Sequence, residues 1–333
     1  MKNKFIKICC CLALMLSICG CAKDTNSPVG DDNKEETKTL QIIDENSKTR
    51  PYAVMINNNH AAWPISGLQD AYLVYEIVVE GGITRMMALY KDRATAKIGS
   101  VRSSRHYFLD YVLENDAIYA HFGWSEPARE DIDKLKIDNI NGLYDAYTWR
   151  DNTLDRAYEH TAFTSIEKID EYVQKKGYRT DMNQDFLLNY SVDEINLNNM
   201  DGAIVANNVS IKYSYYHTSS YEYDSVNKLY KRSMSGAANT DLVTGEQYTV
   251  KNIITYQVED VAHESISKIR NLKNIGSGEG YYITNGYAVP ITWEKSSRSG
   301  QTIYKYQDGT EIDVNDGNTF IQIQPKGQNL LIN

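Results

Sequence analysis

Two arginines lie where the sequence predicts the start of a helix. Arg102 and Arg105 flank Ser103 and Ser104, and the apolar residues that follow recur at helical spacing over 104–113. The first turn of a helix presents unpaired N–H groups and a partial positive charge. Two guanidinium groups beside that turn predict an anion-binding corner. The alternative is that both arginines pair with the acidic side chains in which this chain is rich.

A second strand-to-helix turn follows closely. The run AIYAHFG at 117–123 predicts a strand, and Ser125 stands at the N-cap position of the helix after it. If the two preceding strands are parallel neighbours, both turns face one crevice, which places His121 and Trp124 beside the arginines. His121 is then the candidate catalytic residue, a proton-transfer group. The alternative is a buried histidine with its hydrogen bonds satisfied.

Three charged residues also lie on a predicted hairpin. Two β-rich runs flank a Gly-Gly pair within residues 71–92, which is a strong hairpin signal. A two-residue turn there pairs Val78 with Arg85 and puts Glu76 and Glu80 on the same face as that arginine. We expect either a second part of the ligand site or an ion pair on a solvated face.

Other familiar chemistry is absent from the sequence. It has no phosphate-binding loop, no zinc-protease helix and no calcium-binding loop, so no metal and no cofactor are predicted. The GSGEG run at 276–280 precedes a strand and predicts a loop, because a dinucleotide site needs a helix after the glycines. All five cysteines lie within the first 21 residues, which excludes a cysteine nucleophile or a disulfide from the rest of the chain.

The N-terminus predicts export and a lipid anchor. Lysines and a short apolar run form a signal peptide over 1–20, and ICGC at 18–21 resembles the lipobox of bacterial lipoproteins. In such proteins the cysteine, here Cys21, carries acyl chains such as palmitate and holds the protein on the outer, extracytoplasmic face of the cell membrane. The polar residues that follow make 21–49 a flexible tether. The alternatives are ordinary secretion and an uncleaved anchor.

Composition narrows the class of partner. The formal net charge is −9, and loss of the signal lysines makes the mature chain more acidic still. A strongly acidic surface argues against nucleic acid as a partner. Tyrosine is abundant, at 26 residues, which indicates half-exposed β-sheet or, less directly, a surface that faces glycans.

The remaining chain divides into two segments. Alternating strands and helices, including a helix over 165–177, make 50–195 an α/β segment. Residues 196–333 show recurrent hairpin dipeptides and predict a β-meander with one helix near 263–274.

Several blocks of this sequence resemble one family. RPYAVMINN, IGSVRSSRHYFLDYV, AIYAHFGWS and GEGYYITNGYAVPITWEK are similar, in matching order, to the YerB family of bacterial lipoproteins, also called DUF3048. The resemblance runs from residue 50 to the C-terminus. It implies a layered β/β/α sandwich in a protein mainly of Gram-positive bacteria, and it implies no reaction. Trp124 departs from the pattern, where a small residue is expected, and this puts an aromatic platform for a ligand in doubt.

Three functional hypotheses follow. The first is a binding or structural envelope protein that holds an anionic wall-associated ligand, or an envelope protein partner, in the Arg102–Arg105 cleft. The second is a metal-independent hydrolase or transferase acting on cell-wall polymers, with His121 as acid and base and the arginines stabilising a developing anion. The third is a structural scaffold whose arginines are paired with Glu76 or Glu80.

Overall fold

Hydrophobic runs of strand length become a strand-rich fold in the computed structural model, which describes residues 38–263, 266 and 268–333. The predicted signal peptide, Cys21 and the first part of the tether therefore lie outside the described residues. Three α-helices occur among the described residues: α1 Leu109–Glu114, α2 Glu126–Leu135 and α3 Ile166–Lys176. Short 3₁₀ turns are His60–Ala62, Leu68–Asp70, Glu80–Gly82, His106–Phe108 and Tyr158–His160.

The described residues also form 24 strands, numbered here in chain order. Those of the first segment are β1 Tyr52–Asn57, β2 Leu73–Val78, β3 Thr84–Tyr90, β4 Ile98–Gly99, β5 Ile118–His121, β6 Asn139–Asn141, β7 Trp149–Arg150, β8 Ala162–Thr164 and β9 Asn189–Ser191. Next come β10 Ile204–Val205, β11 Asn208–Lys212, β12 Thr218–Asp224, β13 Leu229–Met234, β14 Ala237–Ala238, β15 Thr249–Val250, β16 Asn252–Val258 and β17 Asp260–Ala262. The last are β18 Arg270–Leu272, β19 Gly276–Thr284, β20 Tyr287–Lys295, β21 Ile303–Tyr306, β22 Asp313–Asn315, β23 Thr319–Pro325 and β24 Leu330–Ile332.

One large sheet joins strands from both predicted segments. Its order is β10-β20-β19-β16-β23-β2-β3-β1-β5-β6, with β21 added beside β20. The late strand β23 lies parallel to β2 on one side and to β16 on the other. Because β23 lies between β2 and β16, strands of the two predicted segments form one sheet. The boundary between residues 195 and 196 stays a prediction.

The large sheet is covered on both faces. Glu76 on β2 contacts Ser219 and Arg232, which belong to a second, six-stranded sheet of order β14-β13-β12-β11-β24 with β15 beside β13. The next residue back, Tyr75, points the other way and donates a hydrogen bond to Glu114 of α1. Successive residues of a strand face opposite sides, so β2 is buried throughout and the layers run sheet, sheet, helix. The predicted layered sandwich is confirmed.

Local signals identified several elements correctly. The Ser165 side chain accepts a hydrogen bond from the Lys168 N–H at the start of α3, and Gly177 closes it with a φ of 66°. Asn285 and Gly286 join β19 to β20 with φ of 50° and 81°, the positive values that this tight hairpin turn requires.

Other predicted elements differ from the structure. The helix expected over 104–113 begins with a 3₁₀ turn after Arg105, no side chain caps that turn, and the α-helical part is six residues long. The prediction of a helix near 263–274 is wrong for the described residues of that range, because Arg270–Leu272 is a strand that pairs with β17 in a two-stranded sheet. The prediction of a loop for GSGEG is wrong as well, since 276–280 forms the first half of β19. Among the described residues, no helix has the length and apolar character needed to cross a bilayer.

A buried ion pair links α1 to the C-terminal strands. Lys295 Nζ lies 2.7 Å from Glu114 Oε2, and both side chains are almost completely buried. Thr302 donates to the same carboxylate oxygen from its N–H and its hydroxyl. The pair therefore fixes the end of β20 against the helix layer.

Replacing Lys295 by Met is expected to lower the free energy of unfolding by about 3–5 kcal/mol, because it leaves the Glu114 carboxylate buried without its cation. Urea unfolding followed by circular dichroism measures this. Lys228→Met is the control, since that lysine forms an exposed pair with Glu194 and its loss should change little. Equal effects of the two substitutions would contradict the assignment.

Candidate functional site

The Gly-Gly hairpin has a different register from the one the sequence predicts. The connection is a 3₁₀ turn over Glu80–Gly82, so Val78 pairs with Thr84 and Ile77 pairs with Arg85. This shift of one residue moves Arg85 to the other face of the sheet from Glu76. The prediction that Glu76, Glu80 and Arg85 share one face is wrong. Glu76 belongs to a cluster on one face, and Glu80 and Arg85 belong to a cluster on the other.

Glu76 anchors the cluster between the two sheets. Its carboxylate lies 2.9 Å from Arg232 Nη2 and 3.0 Å from His217 Nε2, and none of the three side chains reaches solvent. The carboxylate also accepts hydrogen bonds from Asn58, Thr84 and Ser219. Burial alone would raise the pKa of Glu76, but Arg232 and His217 outweigh it and hold that pKa well below its usual value. This cluster is closed, and we assign it a structural role.

Arg85 and Arg105 lie on the opposite face, with Glu80 between them and solvent. Arg105 Nε lies 2.9 and 2.8 Å from the two Glu80 carboxylate oxygens. Arg85 is buried and donates to the Ser103 carbonyl, while its Nε has no hydrogen-bond partner in the described part of the chain. Burial and then the charge of Arg105 lower the pKa of Arg85 to about 9. Burial is the larger of these two causes, and the smaller one shows that Arg85 and Arg105 lie close enough to repel each other.

Arg102 extends this positive region to the surface. Its two terminal nitrogens lie 3.2 Å from the Glu159 carbonyl and 3.2 Å from the Glu159 carboxylate. The carboxylate partner is largely exposed, at 60% of its side chain. Burial and then Arg102 lower the pKa of the neighbouring His160, whose Nδ1 lies 2.8 Å from Asn57 Nδ2.

The structure does bring the two predicted turns together. Ser104 and Trp124 form a parallel bridge, in which the Ser104 N–H donates to the Gly123 carbonyl and the Ser125 N–H donates to the Ser104 carbonyl. The strands before the turns are not neighbours, however, since β4 pairs with β8 and β5 with β1. The buried Ser125 hydroxyl has no partner among the described residues, and this side chain does not cap α2.

His121 lies beneath the second turn. It has no exposed surface, and its ring nitrogens lie 2.8 Å from the Gly123 carbonyl and 3.2 Å from Asn139 Oδ1. Burial lowers its pKa to about 4. The ring is therefore neutral near pH 7, donates one N–H to these oxygens to hold the turn, and is closed to a substrate by its burial.

Aromatic side chains and a further arginine lie near the loop that Arg102 contacts. The Arg150 guanidinium is stacked between two rings, 4.4 Å from the Phe122 centroid and 4.1 Å from the Tyr158 centroid. Trp124 packs against Tyr144 at 5.9 Å. Tyr144 and Tyr158 are among the most exposed aromatic residues, at 74% and 68%. We call this set the arginine–aromatic surface, formed by Arg102, Phe122, Trp124, Tyr144, Arg150 and Tyr158.

Sequence reasoning missed four members of this surface, Phe122, Tyr144, Arg150 and Tyr158. Tyr144, Arg150 and Tyr158 lie in loop-rich sequence after β6. Arg150 donates to the Tyr158 carbonyl and Arg102 donates to the next carbonyl, that of Glu159, so the loop of Tyr158 and Glu159 links the two arginines. The mixture of Arg and Tyr over 144–158 was the available signal. No group of three His, Cys, Asp or Glu side chains in the described ranges is arranged to hold a metal ion.

The charges around Arg102 suit the binding of an anion. Three arginines, Arg85, Arg102 and Arg105, share the two carboxylates of Glu80 and Glu159. An anion that bound Arg102 would add the missing negative charge, and the exposed rings would contact apolar parts of the same ligand.

Comparisons of sequence and of structure with known proteins point to the same family. Residues 37–179 match the family described as "Protein of unknown function (DUF3048) N-terminal domain", and residues 209–321 match its C-terminal domain. The protein "Putative lipoprotein YerB" of Bacillus subtilis (strain 168) is 28% identical over 331 residues, covering 97% of this chain and 96% of that protein. The crystal structure of YerB from Bacillus subtilis superposes with a TM-score of 0.73 at 26% identity, covering 85% of this chain and 94% of that one.

Acid stability tests the Glu76 assignment. A carboxyl whose pKa is lowered by folding adds stability above its unfolded pKa, about 4.3, and that stability is lost as the pH falls further. We expect the free energy of unfolding of the wild type to fall below pH 4 by up to about 1.4 kcal/mol per pH unit from this group. Glu76→Gln, although less stable at pH 7, should lack that part of the slope in urea titrations.

The matched control is Glu222→Gln, which removes an exposed carboxylate of β12. It should keep the wild-type slope. A Glu76→Gln protein with the wild-type slope would show that Glu76 is not the group responsible.

Proposed function

We propose that this chain, which belongs to the DUF3048 family of proteins of unknown function, is a lipid-anchored binding protein on the outer face of the cell membrane. Its arginine–aromatic surface binds an anionic polymer of the cell wall, of the phosphate-bearing class. The observation that carries the proposal is that the three guanidinium groups of Arg85, Arg102 and Arg105 have two carboxylates between them, near exposed aromatic rings.

Arg102 is the arginine that exchanges partners. Its contacts to Glu159 are long, at 3.2 Å, and the glutamate side is open to solvent. Exposed pairs of this kind contribute little to stability, so a phosphate group with two oxygens to offer competes well for the same guanidinium. Arg105 has shorter, less exposed contacts to Glu80, and it supports the site by keeping its potential positive.

The aromatic rings supply the second half of recognition. Arg150 is held by Phe122 and Tyr158 through cation–π contacts, which orient the guanidinium without neutralising it. Exposed Tyr144 and Tyr158 offer flat apolar faces with polar tips. A polymer of alternating phosphate and polyol or sugar units fits both features.

The enzymatic alternative is weaker. A hydrolase or transferase that used His121 as acid and base needs a ring nitrogen within reach of substrate. The His121 ring is fully buried, and its nitrogens face the Gly123 carbonyl and the Asn139 amide oxygen, not a cleft. The scaffold hypothesis is favoured by the acid partners of Arg102 and Arg105, and it predicts no ligand at this surface.

Removing the charge at the surface should weaken binding of an anionic polymer. With purified polyglycerol phosphate oligomers as the probe, Arg102→Ala and Arg150→Ala should each raise the Kd by about tenfold, since a charged hydrogen bond contributes about 1.5–3 kcal/mol. Affinity should fall as salt is added. Thermophoresis on the protein with residues 1–37 removed, or on the full-length lipoprotein in detergent, measures the Kd.

Arg179→Ala is the control, because Arg179 is a partly exposed arginine that also pairs with an acid, Asp116, but lies near Arg50 at the opposite end of β1. It should bind as the wild type does. No saturable binding, or equal loss in all three variants, would favour the scaffold.

The anchor has a separate test. In a Gram-positive host, the wild-type chain should incorporate labelled palmitate and sediment with membranes, whereas Cys21→Ser should do neither. Cys19→Ser is the control and should keep both properties, because a small residue satisfies the lipobox at that position. Palmitate labelling that survives Cys21→Ser would contradict the anchor.

A further inference from the structure

A groove lies on the large sheet, far from the arginine–aromatic surface. It has a volume of about 610 Å³ and is bounded by β16, β19, the Pro290 ring, and the residues around Lys326 and Leu330. In the strand order, β19 and β16 stand on the other side of β23 from β1 and β5. A volume of this size is within the range of small-ligand pockets.

The floor of the groove continues a row of polar residues from the protein interior. Glu76 is in register with Gln322, Gln322 with Thr255, Thr255 with Tyr281, and Tyr281 with Pro290. Residues in register on paired strands project from the same face. The row therefore runs from the closed Glu76 cluster, beneath the six-stranded sheet, to the wall of the groove at Thr255, and it becomes exposed at Tyr281.

Two polar groups in this row lack partners. Thr255 Oγ1 and Gln322 Nε2 are buried, and neither has a hydrogen-bond partner within the ranges that the structure describes. Thr255 itself lines the groove. A buried hydroxyl without a partner costs free energy, so a ligand hydroxyl or carbonyl that reaches Thr255 recovers that loss.

The remaining lining indicates an uncharged, hydroxyl-rich ligand. The groove contains hydroxyl and amide groups from Ser277 and Gln307, and one acid, Glu279, is balanced by one base, Lys326. Tyr281 is partly exposed on the floor and offers a ring face on which the C–H face of a sugar packs. Fatty acyl chains fit such a lining poorly, and a simple anion has no excess of cations to bind.

We infer that this groove binds a neutral oligosaccharide, with Tyr281 packing against a sugar ring and Thr255 hydrogen-bonding one of its polar groups. The site is independent of the proposed anionic-polymer surface. Together the two surfaces would let one anchored protein contact a phosphate polymer and a glycan strand at opposite ends of the same sheet.

Titration calorimetry with two probes, chitotetraose and cellotetraose, tests the inference. At least one should bind the wild type saturably, and Tyr281→Ala should raise its Kd by about tenfold. Thr255→Val keeps the branched shape of the residue and removes the hydroxyl, and it should raise the Kd a few-fold. Both variants should bind polyglycerol phosphate as the wild type does, which separates this test from that of the proposed function.

Tyr215→Ala is the matched control, because Tyr215 is 92% exposed on another surface, and it should leave saccharide binding unchanged. Thermal unfolding of each variant confirms that the fold is kept. The inference is overturned if neither probe binds at millimolar concentration, or if both groove variants bind as tightly as the wild type.

Discussion

A carboxylate buried between two sheets imposes the main constraint on this structure. Glu76 has no exposed surface, so its charge must be met by partners that arrive from elsewhere in the chain. Arg232 on the second sheet meets it, with His217 and Ser219 beside it. These contacts must all form together. The six-stranded sheet therefore has one position on the large sheet in which the Glu76 carboxylate and the Arg232 guanidinium are both paired. The cluster thereby specifies the alignment of the two β layers.

That alignment determines what the other face presents. β2 and β23 are paired in one register, so Tyr75 and Arg85 point away from Glu76 toward the helix layer. Arg85 then lies beneath the turn that carries Ser103, where the surface arginines gather. The adjacent asparagines Asn57 and Asn58 show the same division, since one contacts His160 and the other contacts Glu76. The closed cluster and the proposed binding surface are two sides of one sheet.

The two proposed binding surfaces lie on either side of the middle of the sheet, where its faces are less completely covered. Near β5, exposed rings and Arg102 form a charged surface. Near β19 and β20, the second sheet stops short and leaves the polar groove. The middle of the sheet, around β23 and β2, is buried on both faces and serves stability.

The sequence by itself determined the local features and the family. The caps of α3 at Ser165 and Gly177, the Asn285–Gly286 hairpin, the layered α/β class and the DUF3048 membership all follow from residues close together in the chain or from ordered motif blocks. Only the tertiary structure decided the face on which Glu76 lies and the acid that each arginine meets. The physical reason is that a one-residue change of register reverses every side chain of a strand, while the partner of Glu76 is 156 residues away, where local patterns carry no information.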